Sequence, residues 1–161
     1  MTSTSDYLKN LKNLRSGLLD EVERIIYANE NEIIKLNIQK IEDGQGSDGN
    51  SLKNDDSRYT GRYTIGTNLL RPEKKAGTLY TFFETGTFLG NFQVEVLPSL
   101  TQIEIFSTGT GSGLKADFFR GYKNMFGLTV QDQKKLNYEI IYPDLMQFVN
   151  KYIWYSKKKN T

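Results

Sequence analysis

Leu8, Leu11, Leu14, Leu18, Val22, Ile25 and Ile26 recur three and four residues apart, with Lys9, Lys12, Asp20, Glu21 and Glu23 between them. This spacing predicts an amphipathic helix from Asp6 to about Asn29, started by Ser5 or Asp6. Its one apolar stripe faces a core or, at an N-terminus, a neighbouring subunit. The next stretch, Glu32 to Glu42, fits two periods. Ile34, Ile38 and Ile41 suit a helix, whereas Ile34, Leu36 and Ile38 suit a strand. Periodicity does not separate the two, and a helix continuing or restarting after Asn31 is preferred. Asp43 to Asn50 is a turn cluster. It lacks the spaced oxygen ligands and closing bidentate Glu of a calcium loop, so it is read as a plain turn.

Residues 51–78 are polar and aperiodic, but contain Tyr59, Tyr63 and Ile65. The expectation is an extended arm, spanning about 44–78 with the turn, that makes few contacts with its own domain and orders on a partner. Alternation then predicts an antiparallel hairpin, Phe88 to Leu97 and Thr101 to Ser107, turned at Pro98-Ser99. Phe92, Val94 and Val96 share a face that Ile103 and Ile105 continue. Gly109 to Gly113 reads as a flexible loop. Leu114 to Met125 reads as a short helix closed by Gly127 in a left-handed cap. Thr129 with Asp132 starts a last helix whose apolar face carries Leu136, Ile140, Leu145, Phe148, Val149, Tyr152 and Ile153, with Pro143 kinking it or starting its second half. The predicted core is Phe92, Val94, Ile103, Ile105, Leu136, Ile140 and Phe148. The fold class is α+β: an N-terminal helix, an extended arm, and a β-hairpin or small sheet packed on two C-terminal helices. It forms one domain, 1–161, with a flexible tail at 156–161.

Composition narrows the chemistry. The chain of 161 residues has a formal net charge of +2, so no overall field marks a nucleic-acid binder. Residues 31–60 are acidic and 131–161 basic, partly through the Lys157–Lys159 run, which is read as a solvated tail. There are no cysteines and no histidines. That removes disulfides, thiolate nucleophiles, His general bases and ordinary zinc sites. No stretch is apolar enough to span a membrane, and Met1 to Leu14 is too polar for a signal peptide, so the expectation is a soluble protein made in the cytoplasm.

Two segments are weighed for chemistry. Gly109-Thr110-Gly111-Ser112-Gly113 precedes a helix but lacks the endings of a P-loop or a dinucleotide turn. Glu84 has no second carboxylate placed to make a glycosidase pair. Thr85-Gly86 reads as a tight turn. No catalytic, cofactor-binding or metal residue is assigned, and no cofactor. Tyr59, Tyr63 and Ile65 on the arm, and Phe82, Phe83 and Phe88 around the turn, are assigned as subunit contacts. Trp154 joins them, although burial within its own domain stays open.

The order of these segments resembles a known group. Leu-x5-Thr-Gly-x-Phe over Leu79 to Phe88, the strand pair, Phe126-Gly127-Leu128-Thr129, and Pro143-x-Leu145 in the last helix are similar to the tail-completion or head–tail joining proteins of tailed bacteriophages. So are the Gln- and Gly-bearing stretch from Gln39 to Gly49 and the Tyr/Thr/Lys-rich arm from Tyr59 to Lys75. The resemblance covers about residues 20–150. It implies a virion protein made in the host cytoplasm, without catalysis or cofactor. Such a protein forms a homo-oligomeric ring in the neck or tail and binds other neck, tail or portal-associated proteins through arms and loops. It implies no specific nucleic-acid sequence and no membrane. Two rival classes stay open, a small DNA-binding accessory protein and a carboxylate-based phage cell-wall hydrolase.

Overall fold

Helix α1 (Thr4–Ala28) and helix α2 (Glu30–Glu42) meet at Asn29, whose side-chain amide donates to Ile25 O at 2.8 Å. A computed structural model describes residues 4–82, 86–97 and 102–154, with the Trp154 side chain excepted. The ambiguous 32–42 segment is therefore helical. Its Ile33, Asn37, Lys40 and Ile41 point inward and its charged residues mostly outward. After α2 the chain turns through Gly44 (φ +69°) and is stapled to a distant segment. Ser47 N donates to Asn124 O, and Asp48 Oδ1 accepts from Asn124 Nδ2.

A short helix, α3 (Ile65–Leu70), interrupts the arm. Strands β1 (Phe92–Val96) and β2 (Ile103–Ser107) then pair antiparallel, with Val94 opposite Ile105 and Phe92 opposite Ser107. Two strands alone are marginal in water. Here α1 and α2 cover them, and side chains from that elbow satisfy the outer edge: Val94 N donates to Glu30 Oε1 at 3.3 Å. The hairpin is shorter than the predicted Phe88–Leu97 and Thr101–Ser107, because Phe88 opens a single 3-10 turn, Leu89–Asn91. The Pro98-Ser99 turn, Phe83, Glu84, Thr85, Tyr155 and the 156–161 tail lie outside the described residues.

Helix α4 (Leu114–Arg120) stops at Gly121, earlier than the predicted Met125. Gly121 is packed against Asn54, where a side chain has no room. Gly127 does have positive φ (+100°), but it follows a separate turn and caps no helix. Gly111, in the Gly109 to Gly113 run, is also left-handed (φ +71°), so a valine there would be strained even though it lies outside any helix or strand. Gly109, predicted to be part of a mobile linker, is buried. A Cβ there would drive into the Thr87 carbonyl, and the Ser107 hydroxyl beside it donates to Phe88 O.

The last helix comes in three pieces. Thr129 caps α5 (Val130–Lys135) by accepting from Asp132 N at 3.1 Å, as predicted. A π turn, Leu136–Ile141, follows, and α6 (Tyr142–Trp154) completes the run. Tyr142 N–H reaches back five residues to Asn137 O, just before Pro143, which has no N–H to offer. The extra residue lets both Ile140 and Ile141 pack on the core.

That core gathers Ile26, Ile33, Ile41, Phe88, Phe92, Val94, Ile105, Phe119, Tyr122, Met125, Leu128 and Leu136. Ile103 and Ile140 are only partly buried at its margin. Phe148, predicted to be central, instead packs on Gly17 in a separate α1–α6 seam. The α+β class holds.

Candidate functional site

Residues 51–82 are extended for much of their length, yet they are tied down by local polar pairs and by partners far along the chain. Asn54 Nδ2 donates to Phe118 O, Asp55 N donates to Gly121 O, and the Asp55 carboxylate pairs with Lys123. The Asp56 carboxyl is held down at about 2 by its hydrogen bonds with the Arg58 side chain and backbone. Tyr59 meets the edge of Phe118 with ring centroids 4.8 Å apart. At the far end Arg62 bridges to Leu79, Tyr63 N donates to Thr78 O, and Tyr80 N donates to Gly61 O.

Tyr63 is the central anchor. It is 9% exposed, its hydroxyl accepts from Thr81 N at 3.0 Å, and its ring lies 5.0 Å from that of Tyr80. From Tyr80 the aromatic contacts run through Phe82 and Phe118 to Tyr122 in the core. Burial raises the pKa of the Tyr80 and Tyr122 phenols, keeping both neutral. Phe82 has φ +55°, a region that bulky side chains avoid, and its ring contacts hold it there.

These rings enclose a pocket of about 360 Å³. Tyr59, Tyr63, Tyr80, Phe82 and Phe118 give it aromatic walls, and Thr67, Lys74 and Lys115 stand among them. Lys74 Nζ lies 5.6 Å from the centre of the Tyr63 ring, within cation–π range. No carboxylate lines the pocket among the described residues.

Beside the pocket stands α3. Thr64 caps it by accepting from Thr67 N at 3.1 Å, which starts the helix at a fixed point. No α3 residue is buried. Ile65 is 73% exposed, Leu69 78% and Leu70 83%, so three aliphatic side chains form a crest in water. Ile65 and Leu69, four apart, share one face.

The predicted contact residues are thus divided. Ile65 is on the open crest. Tyr59 and Tyr63 are not free, as expected from sequence, but bind their own domain. Phe88, expected to point outward, is 3% exposed and stacks on Phe119 at 4.1 Å. Phe82 is half-buried among rings, while Phe83 and the Trp154 side chain lie outside the described residues. Sequence reasoning missed Leu69, Leu70, Lys74, Lys115 and Phe118. The adjacent Leu69-Leu70 pair, following a Thr64 cap within a polar stretch, was the available signal for the crest.

A different interior polar group supports the scaffold. Lys40 is 3% exposed and donates to Met125 O at 2.5 Å. Burial lowers its pKa to about 8, and the carboxylates of Asp132 and Asp48 offset part of that effect. Asn37, also buried, makes no hydrogen bond with its amide. Among the described residues no group of three or more acidic, His or Cys side chains could hold a metal, and no helix is long and apolar enough to cross a membrane.

No family model, curated protein or solved structure matches this chain.

Proposed function

We propose that the chain is a non-enzymatic structural subunit of a bacteriophage virion. It forms a homo-oligomeric ring in the neck or tail and binds other neck, tail or portal-associated proteins through its arm. The observation that carries this reading is the α3 crest: Ile65, Leu69 and Leu70 are held in water by an arm anchored on both sides. Burying large aliphatic side chains between subunits contributes roughly 1.5–3 kcal/mol each, repeated at every contact around a closed ring. The likeness of the motif order to phage tail-completion and head–tail joining proteins supports the place in the virion. In this reading the contact falls on the exposed aliphatics that the arm displays, while Tyr59 and Tyr63 hold the arm to its own domain.

Native mass of the purified full chain, together with incorporation into virions, tests the reading. Wild type is expected as a defined multimer. Leu69→Asp with Leu70→Asp should keep the wild-type circular dichroism and melt but lose both assembly and incorporation. A monomeric wild type that never enters particles overturns the proposal.

A further inference from the structure

Tyr138 (72% exposed) and Tyr142 (56% exposed) stand in water on the π turn and the start of α6, with the exposed Glu139 between them. The π turn packs on α1, α5 and α6, whereas the aromatic pocket is lined by the arm, Phe82, Phe88 and α4. One surface offers two phenol rings and a carboxylate. The other offers aromatic walls and two lysines, with no carboxylate among its described lining residues. Each supplies what the other lacks.

We propose that the pocket receives the Tyr138–Tyr142 ridge of a second copy of this chain, with Glu139 set against Lys115 and Lys74. This rests on the assembly reading above and deepens it by naming both halves of the contact. Aromatic rings gain from edge-to-face packing when inserted among other rings, and a pocket of about 360 Å³ has room for a phenol. The lysines select a ridge carrying an acid and reject a basic one. Thr67 belongs to both α3 and the pocket wall, so the crest and the pocket form one continuous surface. Because ridge and pocket are different patches, the contact is heterologous. It propagates from copy to copy and ends only by closing a ring or extending a filament. The π turn gains a purpose here: it turns Ile140 and Ile141 toward the core while leaving both tyrosines outside, and such insertions are frequent at functional positions.

The chain has no cysteine, so an introduced pair reports this contact without background. The full chain carrying Tyr138→Cys and Lys115→Cys, mildly oxidised, should give a ladder of reductant-sensitive multimers, while either single variant should not. Separately, Lys115→Glu and Glu139→Lys should each weaken assembly about tenfold or more by sedimentation, and the double variant should recover most of the loss. Both positions are exposed, so the fold is expected to stay intact. Multimers that form without a ladder, or a charge swap no better than its single variants, overturn the ridge-in-pocket contact and leave the ring standing. Dimers from Tyr138→Cys alone overturn it in favour of a ridge-to-ridge contact. A wild-type chain that stays monomeric overturns this contact and the assembly reading together.

Discussion

Tyr63 and Ile65 lie two residues apart on the same arm, and the structure treats them in opposite ways. Tyr63 sinks among rings contributed from residues 80 and beyond, while Ile65 begins a helix with no residue buried. The same contrast separates the arm's base, tied by backbone hydrogen bonds and aromatic contacts, from its tip, which carries aliphatic side chains in water. Apolar residues on a loop therefore do two jobs. Those that hold the loop in place act on the stability of the domain. Those that the loop displays should be nearly silent there and act on association.

The sharpest break of this comparison uses Phe88 against Leu69. Phe88→Ala empties a position stacked on Phe119 and should lower unfolding free energy by about 3–5 kcal/mol in urea. Leu69→Ala should change it by less than ~0.5 kcal/mol. A Leu69 effect near that of Phe88 would mean that the crest is held against the domain. Next in size is Gly109→Ala, which presses a methyl onto the Thr87 backbone and should cost roughly 1–3 kcal/mol in thermal melts. Gly90→Ala meets nothing within 4 Å and should be near neutral. Tyr63→Phe removes only the hydroxyl that accepts from Thr81 N, for a loss of about 1 kcal/mol. Its better readout is hydrogen exchange, expected to quicken over residues 61–80 while β1 and β2 keep their protection.

A separate effect is a slope with pH. Folded Lys40 gives up its proton near pH 8, whereas the unfolded chain keeps it to about 10.5. Between those values the unfolded state binds more protons, so Lys40 makes stability rise with pH. Above about pH 10 the unfolded chain's tyrosines ionise while folded Tyr122 does not, which drives stability back down. From pH 8 to about 9.5 the melting temperature of wild type should rise relative to that of Lys40→Met, whichever of the two is the more stable at pH 8. Parallel curves would show that Lys40 is not buried as a cation.

What could be read from sequence followed the range of the interactions involved. Helix α1 and the pairing of β1 with β2 rest on periods of a few residues, and both appear close to where the pattern put them. The Thr129 cap is equally local. The arm was misjudged because the partners of Tyr59 and Tyr63 include Phe118 and Tyr80, too far along the chain for any local pattern to announce. Gly109 was misjudged for the same reason. A glycine-rich run signals freedom, and only the approach of Thr87 turns that freedom into a requirement for the smallest residue. The last helix kept its apolar stripe but not its phase, since the π turn before Pro143 inserts a residue that a regular period cannot show. For the candidate site, Ile65 lies on the open crest, whereas Tyr63 lies buried against its own domain, an arrangement set by Tyr80 and Thr81 rather than by any local pattern.

The base of the arm also makes its tip separable. Where Tyr63 N meets Thr78 O and Tyr80 N meets Gly61 O, the chain enters and leaves the crest at one point. Residues 64–77 therefore form a cassette whose two ends are already side by side, and a short turn joining Tyr63 to Thr78 would close the gap without disturbing the rings below. Such a segment can lengthen, shorten or change its side chains while the domain beneath it stays the same. Under the assembly proposed above, partner choice would be an interchangeable part, free to diverge much faster than the body that carries it.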